Sequence, residues 1–349
     1  MMDARVARIG HPAGMTDTGG YDDQRRGSIG DPRLSIAEPF TFLEARRHGL
    51  SPAQLRTMVR TGLLRRVFTG VYVDSATPDT QLTRTQALGK ILPPTAVVTD
   101  ESAGWVHMID LDPPSAQVIA PPVTVFQKDG ATRVRKAGTH GGQRHLLDRD
   151  VVVINGVRVT SPLRTAVDLG RLRPRDRAMA SLDALLRTRL FTHEELLGDL
   201  VRFKGMRGVV QLRELAPLAD PRAQSPPESI IRLRCLDYGL PRLVPQVEVR
   251  REMTGERAFL DLANETLRFA VEFDGRAWHE RDHDVRRDRS RRAWLAEEAG
   301  WHIMVLTGTD VYGVPREHTA NVVRRRLAPT YGASGEPSNT PRHAVDVVT

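Results

Sequence analysis

The chain has 349 residues, with 51 Lys and Arg against 43 Asp and Glu and a formal net charge of +8. This length allows two or three domains, and the basic balance favours a polyanionic partner such as nucleic acid. The single cysteine, Cys235, excludes an intramolecular disulfide framework and a multi-cysteine zinc site. No apolar run is long enough for a signal peptide or a membrane span, which predicts a cytoplasmic protein that does not enter a membrane.

Composition and periodicity predict a multi-domain α/β protein with two disordered tails. The tails, 1–36 and 328–349, show no sustained apolar period. Between them we predict a winged helix-turn-helix at 37–75, a mixed α+β middle domain at 78–217, and a domain of order α-β-β-β-α-β-α at 221–327.

Helix signals and a hairpin signal follow each other closely in the first of these units. A short helix is predicted over Pro39–His48. Ser51 can cap a second helix, with Pro52 in its first turn and Gln54 reaching back as in a capping box. Two β-rich runs over Leu63–Val73 then predict a hairpin. Helix, turn, helix and hairpin in so short a segment is the plan of a winged helix-turn-helix.

The same segment is strongly basic. From Thr41 to Val73 there are six arginines and one acidic residue, Glu44. The pattern fits a DNA interface, with a solvated basic face as the alternative. The predicted nucleic-acid-binding residues here are Arg46, Arg47, Arg56, Arg60, Arg65 and Arg66.

The middle unit carries structural signals but no recognisable reaction chemistry. Asn155-Gly156 between two valine-rich runs predicts a tight hairpin. Thr192 and Glu195 form a capping-box pattern. His107, in a predicted helix, is interpreted as a packed core residue rather than a ligand. The unit is therefore a scaffold, a docking site for a protein partner, or a second DNA contact.

Carboxylates gather in the predicted strands of the third unit. In the run Leu267–Gly275, Glu272 and Asp274 fall on the same strand face. Asp261, on the preceding strand, comes level with positions 271–272, although a slip of one residue would send it to the other face. Buried carboxylates repel each other without a cation, and this oxygen set suits Mg²⁺ or Mn²⁺.

Two further features flank these strands. Glu228 lies in the first turn of a predicted helix, where it either caps the helix or points at a metal site. The run from Arg276 to Arg292 contains seven arginines and four acidic residues. Within it, His279 is a candidate general base or phosphate contact, or packs beside Trp278.

At these residues the third unit resembles a known family. The stretch AFLDLANETLRFAVEFDGRAWH, followed by RRDRSRRAWLAEEAGWHIMVLTGTDV, resembles the domain of unknown function 559. That family is similar to the very-short-patch-repair endonucleases and has the PD-(D/E)XK restriction-endonuclease-like fold. The resemblance implies that Asp261 and Glu272 hold Mg²⁺ or Mn²⁺, with Glu228 as the helix carboxylate.

One position departs from that family's pattern. Asp274 stands where the pattern has Lys, and the chain has no lysine after Lys204. The role of orienting the attacking water would then pass to His279, to an arginine such as Arg276 or Arg289, or to no residue at all.

A second resemblance covers the first 75 residues and part of the middle unit. It is to the antitoxin component of type IV abortive-infection toxin–antitoxin pairs, a DNA-binding repressor. Two functions follow. One is a metal-dependent endonuclease, whose developing phosphate charge would meet arginines of the basic run. The other is an antitoxin-like transcriptional regulator whose nuclease-like domain is inactive. The arginines of the first function are Arg276, Arg286, Arg287 and Arg289.

Overall fold

The computed structural model describes residues 36–109, 123–127, 134, 138–275 and 282–327, with the side chains of 282–289 excepted. The tails predicted to be disordered lie outside these residues, apart from position 36. Within the described ranges, no helix combines the length and the apolar character needed to cross a bilayer. Strands and helices alternate through three sheets, so the chain has a mixed α/β architecture.

The first unit contains the two helices and the hairpin that its sequence predicts, and one short strand, β1, that occupies the start of the predicted helix Pro39–His48. Its elements are β1 (Phe40–Thr41), α1 (Phe42–Arg47), α2 (Pro52–Arg60), β2 (Leu64–Phe68) and β3 (Val71–Asp74). The three strands form an antiparallel sheet in the order β1-β3-β2. The capping box of Ser51 and Gln54 is present at the start of α2, because each residue satisfies a backbone N–H of the other.

The middle unit is built around a five-stranded sheet in the order β6-β5-β4-β8-β7. Its elements are α3 (Gln81–Gly89), β4 (Val97–Val98), α4 (Asp100–Val106), β5 (Val123–Gln127), β6 (Thr139–Gln143), β7 (Val151–Ile154), β8 (Val157–Thr160), α5 (Pro162–Leu172), α6 (Arg175–Arg187), α7 (His193–Asp199) and α8 (Val209–Leu215). Asn155 and Gly156 both have positive φ between β7 and β8, as the predicted turn requires.

His107 confirms its interpretation as a core residue. Its ring is buried, and Nε2 lies 2.8 Å from the carbonyl oxygen of Thr160. Burial lowers the pKa of the imidazole, so the neutral form is the one that packs here.

The third unit follows the predicted order of elements. They are α9 (Pro226–Asp237), β9 (Val244–Arg250), β10 (Arg257–Asn264), β11 (Phe269–Asp274), α10 (Asp282–Glu297), β12 (His302–Thr307), α11 (Gly308–Val311) and α12 (Arg316–Leu327). The one-turn helix α11 was not predicted. The sheet order is β12-β11-β10-β9, and β12 runs parallel to β11 while the other pairs are antiparallel.

Two elements join the three units through shared packing. The β2–β3 hairpin contributes Val67, Phe68, Val71 and Val73 to the apolar cluster of the middle sheet. Helix α9 is buried on both sides, since Leu233 packs into the helical core of the middle unit while its neighbours Ile231 and Cys235 pack beneath β11. The units are therefore in continuous contact.

Candidate nucleic-acid interface and acidic constellation

Helix α2 separates an apolar face from a polar one. Leu55 and Met58 point into the small core of the first unit. Arg56, Thr57 and Arg60 are exposed on the other side. Residues three and four apart share a helix face, so the two arginines form one basic stripe along an exposed helix.

The basic surface continues at the end of α1. Arg46 and Arg47 are exposed in its last turn. Glu44, the acidic residue of this segment, is engaged elsewhere, because Lys90 donates to its Oε1 at 2.6 Å and Thr41 donates to its Oε2. Burial alone would raise the pKa of Glu44, but these hydrogen bonds lower it. The carboxylate therefore stays ionised and is neutralised by Lys90.

The two hairpin arginines differ in exposure. Arg66 is exposed on β2. Arg65 is half-buried, and its Nη2 donates to the carbonyl oxygen of Thr77 at 3.2 Å. Five of the six predicted arginines are therefore exposed to solvent, and Arg65 anchors the following loop.

The hairpin itself is fixed against the middle unit. Phe68 packs edge-on against Trp105 with ring centroids 5.3 Å apart. At the turn, a Cβ placed on Gly138 would lie 3.5 Å from Cβ of Thr69. The tip of the hairpin is thus in contact with the start of β6 rather than standing clear of the protein.

In the third unit, Glu272 lies at the centre of the acidic constellation and is 4 % exposed. Both of its carboxylate oxygens accept from arginines of α10. Arg291 Nη2 lies 2.5 Å from Oε1, and Arg292 Nε lies 3.0 Å from Oε2. The side chain that the sequence assigns to a metal therefore has two guanidinium partners.

Asp261 lies beside Glu272 but is held differently. Leu262 pairs with Val271, so one further step of the antiparallel ladder brings Asp261 opposite Glu272. There the Asp261 carboxylate accepts a hydrogen bond from a strand backbone, since its Oδ2 lies 3.1 Å from the N–H of Phe273.

The side chains of β10 do not alternate regularly between the two faces of the sheet around Asp261. Leu260 and Ala263 both pack in the cluster under α10, whereas Leu262 packs in the cluster on the opposite face. The alternation of β10 therefore shifts by one residue at Asp261. On β9, Gln246 has a φ of 53°, which marks an irregular point of the neighbouring strand.

Glu228 has the capping role, one of the two that the sequence left open. Its carboxylate accepts from Ser225 Oγ at 2.7 Å and from the N–H of Gln224 at 2.9 Å, which closes the start of α9. Gln246 Nε2 donates to the same carboxylate at 3.3 Å. Burial raises the pKa of Glu228 against these hydrogen bonds, and the charge of Asp261 adds to the rise. Glu228 therefore both caps the helix and lies within electrostatic reach of Asp261.

The remaining predicted residues of this constellation are only partly covered. Asp274 is exposed at the end of β11. Arg276 and His279 lie outside the described residues, so their roles stay predictions. Arg286, Arg287 and Arg289 belong to α10, whose side chains are described only from position 290 onwards. Among the residues that are described, no three His, Cys, Asp or Glu side chains are grouped closely enough to hold a metal ion.

Sequence reasoning missed Arg291 and Arg292 as site residues. The signal available was indirect: a carboxylate on a buried strand needs a cation, and the domain has no lysine to supply one. Which of the seven arginines of the basic run would do so depends on how α10 packs on the sheet.

Sequence reasoning also missed a buried ionic network in the middle unit. Asp168 accepts from Arg144 and Arg164 at 2.9 Å each and from Arg171 at 2.7 Å. The exposed Arg149 pairs with Asp199 at the edge of the network. Side chains from the ends of β6, α4 and α7 extend its inner part, which pairs four arginines with four aspartates. They are Arg144, Arg164, Arg171 and Arg202, with Asp100, Asp150, Asp168 and Asp199.

These eight side chains together have no net charge, and three of their arginines lie around an aromatic ring. The guanidinium carbons of Arg164 and Arg202 lie 5.3 Å from the ring centroid of Phe203, and that of Arg171 lies 5.7 Å from it. These arginines are used inside the protein, so they do not contribute to a nucleic-acid surface.

Comparison with known proteins places the middle unit in a family. Residues 95–218, which run from just before β4 to just beyond α8, match the model of the AbiEi antitoxin C-terminal domain. The chain is also 33% identical over 272 residues to uncharacterized protein Rv2248 of Mycobacterium tuberculosis strain H37Rv, and equally so to uncharacterized protein MT2308 of strain CDC 1551. Each alignment covers 78% of this chain and 95% of the relative. The predicted likeness of the middle unit to antitoxins is confirmed.

Proposed function

The chain belongs to the family of these mycobacterial proteins and carries an AbiEi antitoxin C-terminal domain, and from this premise we propose that it is a DNA-binding, antitoxin-like regulator. In this proposal residues 37–75 form a winged helix-turn-helix that binds a DNA duplex. The observation that carries it is the set of five exposed arginines on α1, α2 and β2, whose neighbouring carboxylate is neutralised by Lys90.

Helix α2 is the proposed recognition element. It is exposed along the side that carries Arg56, Thr57 and Arg60, and a capping box fixes its first turn. An α-helix fits the major groove of B-DNA, where arginine binds guanine bidentately and threonine contacts either base type. Arg46 and Arg47 at the end of α1 would then contact phosphates on the flanking strand.

The packing of the hairpin favours binding through the helix. Because the turn at Thr69 contacts Gly138 and the strands share the core of the middle sheet, the hairpin cannot swing independently into a groove. Arg66 remains exposed on its outer side. We therefore assign phosphate contact to Arg66 and sequence recognition to α2.

The middle unit is the proposed docking site for a protein partner. It is the part that matches the antitoxin domain, and apolar side chains are exposed on its helical side. Val201 and Val210 are 71% and 68% exposed. The segments that carry these two valines contact each other, and exposed apolar patches are characteristic of protein-binding sites.

The proposal for the third unit is a restriction-endonuclease-like fold without cleavage activity. Its order of elements supports the fold. The contacts of Glu272 with Arg291 and Arg292 argue against a working metal centre, since a metal would have to displace both guanidinium groups. The antitoxin-like regulator is therefore favoured over the endonuclease.

The test is a selection of bound duplexes from a random library by the full-length chain in EDTA, followed by mobility-shift titration of the selected sequence. We expect binding in EDTA that is unchanged by Mg²⁺, and no strand scission of the bound duplex. The double variant Arg56→Ala/Arg60→Ala should lose the selected sequence preference, because both residues lie on the exposed face of α2.

Two results would contradict the proposal. Failure to enrich any sequence would remove the recognition role of α2. Cleavage in Mg²⁺ or Mn²⁺ that disappears in Asp261→Asn would instead favour the endonuclease.

A further inference from the structure

We infer that Arg291 and Arg292 form an arginine clamp on Glu272 that takes the place of a divalent cation in the acidic constellation. The name arginine clamp is used here for these three residues. Both oxygens of the carboxylate are engaged, one by Arg291 Nη2 at 2.5 Å and one by Arg292 Nε at 3.0 Å.

The clamp also ties the helix to the sheet. Arg291 donates through Nη1 to the carbonyl oxygen of Phe259 at 3.1 Å, so one guanidinium joins α10 to both β10 and β11. The apolar cluster beneath α10, with Trp294 and Leu295, lies next to it. Removing the clamp would therefore loosen a helix that covers one face of the sheet.

The charges explain why a metal ion does not fit while the clamp is closed. Glu272 is buried, and a buried carboxylate needs positive charge nearby. The two guanidinium groups supply it and would repel a divalent cation approaching the same oxygens. The neighbouring Asp261 is held on the strand ladder, because its Oδ2 accepts from the backbone N–H of Phe273.

Neutralising Glu272 should shift the melting temperature in opposite directions for a metal site and for an arginine clamp. In a metal-binding cluster without its cation, neutralising one carboxylate relieves repulsion and raises the melting temperature. In the clamp, Glu272→Gln removes the carboxylate charge that two half-buried guanidinium groups share, and this change lowers the melting temperature.

Removal of the arginines should convert the site. In the double variant Arg291→Gln/Arg292→Gln, Glu272 loses both guanidinium partners, and a divalent cation can take their place as its counterion. We expect this variant to bind Mn²⁺ at least tenfold more tightly than the wild-type chain. Adding Glu272→Gln to it should abolish that gain.

The experiment uses the full-length chain, Mn²⁺ as the probe, and no DNA, so its outcome is independent of the proposed DNA binding. Mn²⁺ affinity is measured by electron paramagnetic resonance of the free ion, and the melting temperature by circular dichroism with and without Mg²⁺. The matched control is Arg250→Gln, which removes an exposed arginine from an ion pair on the same sheet.

We expect the wild-type chain to bind Mn²⁺ no more tightly than the control and to melt at the same temperature in Mg²⁺ and in EDTA. Glu272→Gln should lower the melting temperature by about 5 °C or more, as expected when one partner of a buried pair is removed. The melting temperature of Glu272→Gln tests the clamp even if the double arginine variant fails to fold. Mn²⁺ binding by the wild type that is lost in Glu272→Gln, or a higher melting temperature of that variant, would overturn the inference.

Discussion

Arginines supply most of the positive charge of both the first and the middle unit, yet the two units use them in opposite ways. On α1 and α2 of the first unit, the guanidinium groups of Arg46, Arg47, Arg56 and Arg60 are exposed. In the middle unit, Arg164 is 2% exposed and lies between Asp150 and Asp168. The same residue type thus forms an exposed basic surface in one place and part of the core in the other.

The difference follows from the position of acidic residues in space. Asp168 lies on α5 four residues from Arg164 and three from Arg171, so the helix itself brings the three side chains together. In the first unit the acidic residue Glu44 pairs with Lys90, and the arginines of α1 and α2 are exposed to solvent. A count of basic residues therefore indicates a nucleic-acid surface only after the internal pairs have been subtracted.

The largest effect is expected in the buried network. Asp168→Asn preserves side-chain volume but removes the charge that balances three buried arginines. Breaking one member of a buried network typically costs about 3–5 kcal/mol in the free energy of unfolding. Urea unfolding of the full-length chain, followed by circular dichroism, measures it.

Glu248→Gln is the matched control for this change. Glu248 pairs with Arg250, whose side chain is 69% exposed, so the loss should stay below about 1 kcal/mol. Equal losses of unfolding free energy in the two variants would contradict the distinction between arginines paired in the interior and arginines exposed on the surface.

The salt dependence of DNA binding should show a smaller, graded effect. Each phosphate contact contributes about 0.9 to the slope of log K against log salt concentration. Arg46→Ala and Arg47→Ala should therefore each flatten the slope by about one. Fluorescence anisotropy over a range of salt concentrations gives the slope.

Arg65 and Arg250 sharpen the test. Arg65 donates to the Thr77 carbonyl, and Arg250 lies on a different sheet, so replacing either with Ala should leave the slope unchanged. If Arg65→Ala flattened it as much as Arg46→Ala, the half-buried arginine would belong to the interface after all.

The smallest effect is expected at Glu228, a buried carboxylate that accepts hydrogen bonds from Ser225, Gln224 and Gln246. Burial raises its pKa above the ordinary value of 4.5, so between that value and the raised pKa the folded chain holds a proton that the unfolded chain has lost. Stability is therefore lost as the pH rises through this window.

Glu228→Gln should remove that loss. The variant should gain melting temperature relative to the wild type as the pH is raised from 4.5, and the gain should level off above the folded pKa. Melting curves from pH 4 to pH 8 measure it. A constant difference between the two proteins across this range would mean that Glu228 does not titrate differently in the folded chain.

Local signals in the sequence determined most of the elements. Capping residues such as Ser51 and Thr192 fix helix starts because they satisfy backbone N–H groups within three residues. Asn155-Gly156 fixes a hairpin because both residues adopt positive φ. The alternation of β11 likewise assigned Phe269 and Val271 to one face, as the packing confirms. Each of these interactions joins residues that are close in the sequence, so it can be predicted from a short stretch of sequence alone.

The tertiary structure decided which charged groups meet. Arg291 and Arg292 reach Glu272 across about twenty residues of chain, and Lys90 reaches Glu44 from another element, so neither pair is visible as a local pattern. The shift of alternation at Asp261 is likewise set by the neighbouring strands. The sequence determined the secondary-structure elements and the number of charged side chains, whereas packing decided which of those charges are neutralised. The charge of a side chain is set by its own chemistry, but its partner can come from a distant part of the chain.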